Sequence, residues 1–408
     1  MAGDTHDELR SRIRAWCAEH VPRDWRRTQA GVSRDDYVAF QQDWLARLEA
    51  GGWAVPHWPA AWGGGYSPAE QAVIFSELAR ADAPRLSLHF ISLHHAAATL
   101  LHGGSGELQE RHLPAIRAGE VWCQGFSEPG AGSDLASLRT RAERHGDVYV
   151  VNGQKTWASM AMYADWCLLL VRTDPDAPTR HGITYLVMDM RADGVEVRPI
   201  RQATGEEHFC EVYLDDVEVP VANRIGPEDE GWRVAQTTLN SERAATMVEL
   251  AERLALGYGW LVDLARSSPM PGGGLPGGGS QGGGSLLDDA LVRDRLGGFA
   301  AEVESLRLLV GRAVSDDLTD AQAGALASIV KLTYSELLQR LMDFGTSVAG
   351  LGAHLETDRP ASGGWESGAW LLDFIASWEW TIPGGTSEIQ RTIIGERALG
   401  LPREPRAA

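Results

Sequence analysis

Three short segments carry residues whose types and spacing suit chemistry. The first is Trp122-Cys-Gln-Gly-Phe-Ser-Glu-Pro-Gly-Ala-Gly-Ser-Asp134, a strand-like run that breaks into a Gly/Pro turn. Glycines there let the backbone come close to a ligand, because no Cβ stands in the way. The second is Lys155-Thr-Trp-Ala-Ser159 and the third is Thr381-Ile-Pro-Gly-Gly-Thr-Ser-Glu-Ile-Gln-Arg391. Composition alone makes the first an ordinary loop entering a β domain. A fourth position is Glu242, in Leu239-Asn-Ser-Glu-Arg-Ala244. Its helical neighbours three and four residues away are Thr238, Leu239, Ala245 and Thr246, none of them a cation. No helical ion pair accounts for it, unlike Glu249 with Arg253. A plain solvated carboxylate is one reading; a carboxylate that gains basicity as water is excluded, and so acts as a general base, is the other. His94-His95 and His102 lie in an apolar helical stretch without Cys or carboxylate at ligand spacing, so no metal is expected.

The elements that must position these residues follow from the apolar period. From residue 5 to about 120 the spacing is helical, as in Tyr37, Phe40, Trp44, Leu45 and Leu48. Ser67-Pro-Ala-Glu70 predicts a capping box with proline at the first helical position. Near Val121 the pattern turns strand-like. Val148–Val151, Asn152-Gly153 and Gln154–Trp157 predict a β-hairpin, since Asn-Gly suits a type I′ turn. Further strands are expected at Trp166–Arg172, Gly182–Met188, Val195–Ile200 and Cys210–Leu214, ending at Val219-Pro220. Helices return after Gly231: Trp232 to Ala265 as one, then Leu286–Ser315, Ala321–Ala349 and Ser387 to Leu399. The glycine-rich stretch 271–285 predicts a flexible loop between two helices, because no strand precedes it to make it a phosphate cradle.

With 408 residues, 44% apolar and 23% charged, the chain has material for two or three domains and a large core. The net charge of −19 opposes nucleic acid and anionic membrane surfaces. Cys17, Cys123, Cys167 and Cys210 show no CxxC spacing, so neither disulfides nor zinc are expected. The charged N-terminus is unlike a signal peptide, and no apolar run approaches the roughly 20 residues that span a bilayer. A cytoplasmic location is expected.

The three segments, in this order, resemble the acyl-CoA dehydrogenase family. So do Trp58-Pro-Ala-Ala-Trp-Gly-Gly-Gly65, Leu113-Pro-Ala-Ile-Arg-Ala-Gly-Glu120, His208-Phe-Cys-Glu-Val212 and Ile394-Gly-Glu-Arg-Ala-Leu-Gly-Leu-Pro402, which extend the resemblance over nearly the whole chain. It implies an α+β fold: an N-terminal α-helical domain (1–120), a middle β-barrel or sandwich domain (121–229) and a C-terminal four-helix bundle (230–408). It also implies FAD. Gln124, Phe126 and Ser127 fall where the family lines the flavin's pyrimidine side, and Trp157 and Ser159 where it flanks the isoalloxazine. Gly132 and Ser133 fall in the turn at the thioester and CoA end, Gly132 toward the cofactor and Ser133 toward the substrate. Thr386 and Glu388 match cofactor positions. The implied reaction removes an α-proton from an acyl thioester while the β-hydride goes to flavin. Two hydrogen bonds stabilise the carbonyl where enolate charge develops, one of them from the backbone N–H at Gly384.

Two departures from the common family pattern bear on mechanism. Many members carry the catalytic Glu where this chain has Gly384; another branch places it on a helix before an Arg, here Glu242 before the site-organising Arg243. The family's usual motifs for a neighbouring subunit's FAD find no match either. The first gives way to the glycine-rich stretch, and the second reads Asp343-Phe-Gly-Thr-Ser-Val-Ala-Gly-Leu-Gly352. Members that lose these motifs work as heteromeric pairs, so both a homo-oligomer and an α2β2 assembly are expected possibilities. The resemblance further implies acyl-CoA or acyl carrier protein as substrate and an electron-transfer flavoprotein as acceptor. A flavin monooxygenase on the same fold and a non-catalytic partner subunit stay open as alternatives.

Overall fold

Apolar residues at helical spacing build helices on either side of a sheet-forming segment. In chain order the helices are α1 (His6–His20), α2 (Trp25–Thr28), α3 (Arg34–Gly51), α4 (Pro68–Arg80), α5 (Ala97–Gly103) and α6 (Gly106–Arg117), then α7 (Gly231–Ser241), α8 (Ala245–Ser267), α9 (Ala290–Ala313), α10 (Asp320–Ala349), α11 (Trp370–Ser377) and α12 (Ser387–Ile393). The strands are β1 (Trp122–Gly125), β2 (Arg141–His145), β3 (Val148–Ser159), β4 (Trp166–Arg172), β5 (Ile183–Asp189), β6 (Val195–Ile200), β7 (Phe209–Pro220) and β8 (Arg224–Ile225). The computed structural model describes residues 6–241, 245–269, 284–315, 318–355, 358–360 and 367–402. The α+β class expected from the resemblance is the one observed. The capping box at α4 forms as expected: Ser67 N–H donates to Glu70 at 2.7 Å, and Glu70 N–H donates to the Ser67 hydroxyl at 3.3 Å. Among the described residues no helix is long and apolar enough to cross a membrane.

Packing divides the chain into two units. The sheet unit comprises residues 38–65 and 86–243. Its strands run in the order β6-β7-β3-β2-β4-β5-β8, mostly antiparallel, with β1 lying parallel to β4. β4 and β5 bury nearly every residue, Cys167–Val171 and Ile183–Met188, so both of their faces are covered and neither shows apolar alternation.

The helical unit comprises residues 1–37, 66–85 and 244–408. α8, α9, α10 and α11 share a core that includes Leu254, Leu261, Phe299, Leu306, Leu337, Leu341 and Trp370. Two buried carboxylates tie α1, α4, α8 and α9 together. Glu77 accepts from Arg14 at 2.6 and 3.1 Å and from Arg80 at 3.1 Å. Glu252 accepts from Arg80 at 2.9 and 3.0 Å and from Arg307 at 3.0 Å.

The hairpin expected at Asn152-Gly153 does not form. β3 runs straight through it, and both halves of β3 pair with β7. Asn152-Gly153 is instead an irregularity where the β3–β7 register shifts. A Cβ at Gly153 would lie 2.6 Å from the Thr140 hydroxyl, so the glycine serves a close approach, not a reversal. The reversal occurs one step earlier: His145 pairs with Val148 across Gly146-Asp147, with Gly146 at φ +67°. The helix expected over Trp232 to Ala265 is described as α7 and α8, its joint lying outside the described residues. α11 is a further helix that the apolar period does not predict. Most of the glycine-rich stretch also lies outside the described residues, but its flanks meet: Leu286 N–H donates to Ser268 O at 2.9 Å.

Gly345, within the Asp343–Gly352 stretch, has a packing role. A Cβ there would fall 2.0 Å from the indole of Trp370, which is buried on α11. Alanine gains about 1 kcal/mol of helix propensity, but overpacking costs about 1–3 kcal/mol. Gly345→Ala is therefore expected to lower the melting temperature in a thermal scan; a variant as stable as the parent would refute tight α10–α11 contact at this point.

Candidate active site

The exit of β1 is held by a buried ion pair. Lys155, on β3, is fully buried, and its ammonium donates to Glu128 at 2.8 Å and to Phe126 O at 3.2 Å. Glu128 also accepts from the backbone N–H groups of Arg139 at 2.7 Å and Thr140 at 2.8 Å. Burial alone would raise the Glu128 carboxyl, but the Lys155 ammonium and the donated hydrogen bonds outweigh it and hold it below its ordinary value. Burial pulls the Lys155 ammonium down from its ordinary value, against the attraction of Glu128. One side chain on β3 thereby fixes the backbone on both sides of Ser127.

The same strand then bulges. Between Lys155 and Ala158 the β3–β7 register shifts, and Thr156 N–H leaves the ladder to donate to Ser127 O at 2.9 Å. Trp157 is thrown outward at φ +60°, with 57% of its surface exposed. A bulky residue at positive φ is strained, and such strain clusters at functional sites. The indole meets Phe209 edge-on at 5.9 Å. Ser159 closes the strand opposite Phe209.

Gln124 and Phe126 precede this anchor. Phe126 is buried against Tyr185, with ring centroids 5.6 Å apart. Gly125, between them, admits no side chain: its Cβ would lie 2.8 Å from Leu169. The Gln124 Nε2 is a buried donor with no hydrogen-bond partner among the described residues. After Glu128 the chain makes a tight reciprocal turn, Glu128 and Ala131 exchanging N–H···O bonds of 3.0 Å. Gly132 and Ser133 follow on the surface, and nothing lies within 4 Å of a Cβ at Gly132.

The structure thus groups Gln124, Phe126, Ser127, Trp157 and Ser159 about one joint in the sheet unit. Gly384, Thr386 and Glu388 belong to the helical unit. Thr386 caps α12 by accepting from Ile389 N–H at 3.3 Å. Glu388 sits exposed in the first turn of α12, where its own backbone N–H and the Thr386 side chain hold its carboxyl below the ordinary value. Gly384 is exposed at φ +65°. Glu242 and Arg243 lie outside the described residues.

The motif reading overlooked Lys155 and Glu128 as individual residues. The signal is a lysine inside a run that reads as a strand, where it pairs with Val212. His94 and His95 sit in a π-helical turn over Ile91–Ala96. His94 stacks on His57 at 4.4 Å, and His57 donates to Leu93 O at 3.0 Å. Burial brings both His57 and His95 down to about 4, so both are neutral at physiological pH. Among the described residues no group of three His, Cys, Asp or Glu side chains is arranged to hold a metal ion, and all four cysteines are buried free thiols.

Removing one partner of a buried ion pair leaves the other uncompensated, at about 3–5 kcal/mol. Lys155→Met is therefore expected to destabilise the protein by about that much in denaturant titration. Adding Glu128→Met should recover part of the loss; a single variant within about 1 kcal/mol of the parent would contradict the anchoring role.

Comparison with known proteins agrees across the whole chain. The family models described as acyl-CoA dehydrogenase N-terminal, middle and C-terminal domains match residues 3–120, 123–217 and 229–399. The acyl-CoA dehydrogenase IpdE1 of Mycobacterium tuberculosis is 35% identical over 408 residues, covering 98% of each chain. FadE34 of the same organism is 40% identical over 86% of this chain, which spans only 45% of FadE34. Among solved structures, the Tcur3481-Tcur3483 steroid ACAD superposes with TM-score 0.81 at 30% identity, covering 98% of both chains. The ChsE4-ChsE5 complex from Mycobacterium tuberculosis gives 0.80 at 32% identity, covering 99% of this chain and 100% of that one. This chain belongs to the acyl-CoA dehydrogenase family.

Proposed function

We propose that the chain catalyses FAD-dependent α,β-dehydrogenation of an acyl-CoA, with Glu242 as the base. The observation that carries the proposal is the joint at Ser127: a strained, exposed Trp157 follows the bulge bonded to Ser127, and the strand end before Ser127 carries a Gln124 Nε2 with no partner among the described residues. Those features fit a flavin. An exposed indole offers a flat apolar face, and the amide nitrogen of Gln124 offers a donor to a pyrimidine carbonyl. The open turn at Gly132 and Ser133 leaves room for the thioester end.

In this reading Gln124, Phe126, Ser127, Gly132, Trp157, Ser159, Thr386 and Glu388 hold FAD. Bound FAD supplies the hydride acceptor. Glu242 removes the α-proton, its basicity raised as substrate displaces water. Gly384 N–H donates to the thioester carbonyl as negative charge grows there. Ser133 and Arg243 orient the substrate. The similarity to a steroid ACAD and to a two-protein complex favours a polycyclic acyl group and a heteromeric assembly, and the family resemblance adds an electron-transfer flavoprotein as acceptor. The chain's N-terminal, middle and C-terminal domains in this reading are residues 1–120, 121–229 and 230–408.

Anaerobic mixing with a panel of acyl-CoAs, polycyclic ones included, should bleach the flavin of the wild type. Glu242→Gln should slow bleaching about 10²- to 10⁴-fold. Bleaching that survives unchanged in Glu242→Gln would remove Glu242 from the reaction, and a wild type bleached by no acyl-CoA would defeat the proposal. Flavin uptake only with a co-expressed partner would identify the heteromeric form.

Nothing lies within 4 Å of a Cβ at Gly384, so a side chain there faces only the strain of φ +65°. Glu242→Gln combined with Gly384→Glu should therefore regain measurable flavin reduction over Glu242→Gln alone. No gain in a folded, flavin-loaded double variant would mean that position 384 does not face the substrate's α-carbon.

A further inference from the structure

The turn that carries Gly384 has little of its own to hold it. Gly384 and Gly385 stand at φ +65° and +98°, and two consecutive glycines carry the largest backbone entropy of any pair. What restrains them comes from two helices. The Gln390 amide, on α12, donates to Gly384 O at 2.6 Å. The Lys331 ammonium, on α10, donates to Gly385 O at 2.8 Å.

Lys331 is an expensive way to make one hydrogen bond. It is buried, with 6% of its surface exposed, and among the described residues it forms no ion pair. It lies on a buried polar stripe of α10 with Ser328 and Ser335, but both serines bond within the helix, to Gly324 O at 3.2 Å and Leu332 O at 3.1 Å. Only Lys331 reaches off the helix, and it reaches the glycine turn. The charged groups that act on it are Glu336 on α10 and Glu388 on α12; Arg391 in turn bonds Glu336.

We propose that Lys331, acting with Gln390, is the positioning residue of the Gly384–Gly385 turn, fixing its peptide planes so that Gly384 N–H keeps its aim at the thioester carbonyl. The inference rests on the dehydrogenase reading above. With glycine in place of the commoner Glu at 384, the turn gains freedom that these two donors take away. The ammonium also places a positive charge beside peptides that face developing negative charge. Burial brings Lys331 down to about 8, so that charge is present at neutral pH and is lost as pH rises through that value.

The test compares wild type, Lys331→Met and Lys331→Gln in stopped-flow flavin reduction, using an acyl-CoA that bleaches the wild type. In Lys331→Met the reduction rate constant should fall about 30-fold, with substrate affinity and flavin content within about threefold of wild type, since small misplacement of a reacting geometry costs up to about 100-fold. The wild-type rate should fall above pH 8, and that step should vanish in both variants. Hydrogen–deuterium exchange over 381–391 should quicken in Lys331→Met, a readout that needs no substrate. An unchanged reduction rate, a loss confined to affinity or flavin content, or unchanged exchange would overturn the positioning role. Should Lys331→Met fail to fold, Lys331→Gln decides by its pH profile: a persisting step overturns the proposal. A wild type that no acyl-CoA bleaches refutes the reaction, while the exchange result still judges the turn.

Discussion

The pairing of Lys155 with Glu128 is the interaction on which the sheet unit's candidate site depends. A lysine with no exposed surface is tolerated only where its charge is met and its protons are bonded. Glu128 meets the charge, and Phe126 O takes a further hydrogen bond. Because Glu128 also receives two backbone N–H groups from residues 139 and 140, the pair locks three chain segments to one point. The β1 exit, the entry to β2 and the bulge in β3 therefore cannot move independently. Ser127 sits at the centre of that lock, with its carbonyl taken by Thr156 N–H.

The bulge shows how the lock shapes the strand beside it. A regular β3 would alternate its side chains, and Trp157 would take its place in that alternation. The register shift lets Thr156 bond sideways to Ser127, and the strained Trp157 is presented to solvent. Local strain of this kind persists only where the surroundings over-determine the backbone. Here the surroundings are the buried ion pair on one side and the β3–β7 ladder resuming at Ala158 and Ser159 on the other.

The helical unit solves a related problem differently. Its glycine turn at 384–385 has no side chain of its own to pack, so order comes from donors on α10 and α12. Those helices are held by the bundle core, while Glu77 and Glu252 gather arginines from α1, α4 and α9. In both units a buried lysine holds a backbone carbonyl, Phe126 O in one and Gly385 O in the other.

Much of the fold was legible in the sequence, because period and caps are local properties. The helical spacing before 120 and after 231, the capping box at Ser67, and the strands Trp166–Arg172 and Val195–Ile200 all follow from neighbours within a few residues. The collinear motifs placed the chain in its family for the same reason: they are short and contiguous. What the sequence could not disclose depends on residues far apart in the chain. Asn152-Gly153 has the local chemistry of a turn, yet β7, about sixty residues on, pairs with both sides of it and keeps β3 straight. Trp157 reads as one more strand residue until the bulge turns it outward. Lys155 and Lys331 find Glu128 and Gly385 across 27 and 54 residues, a separation that no local pattern spans. Local propensity determined the elements and the family motifs; tertiary packing alone decided which buried charges meet and which backbone groups they hold, because only folding makes distant residues neighbours in a medium where an unpaired charge is costly.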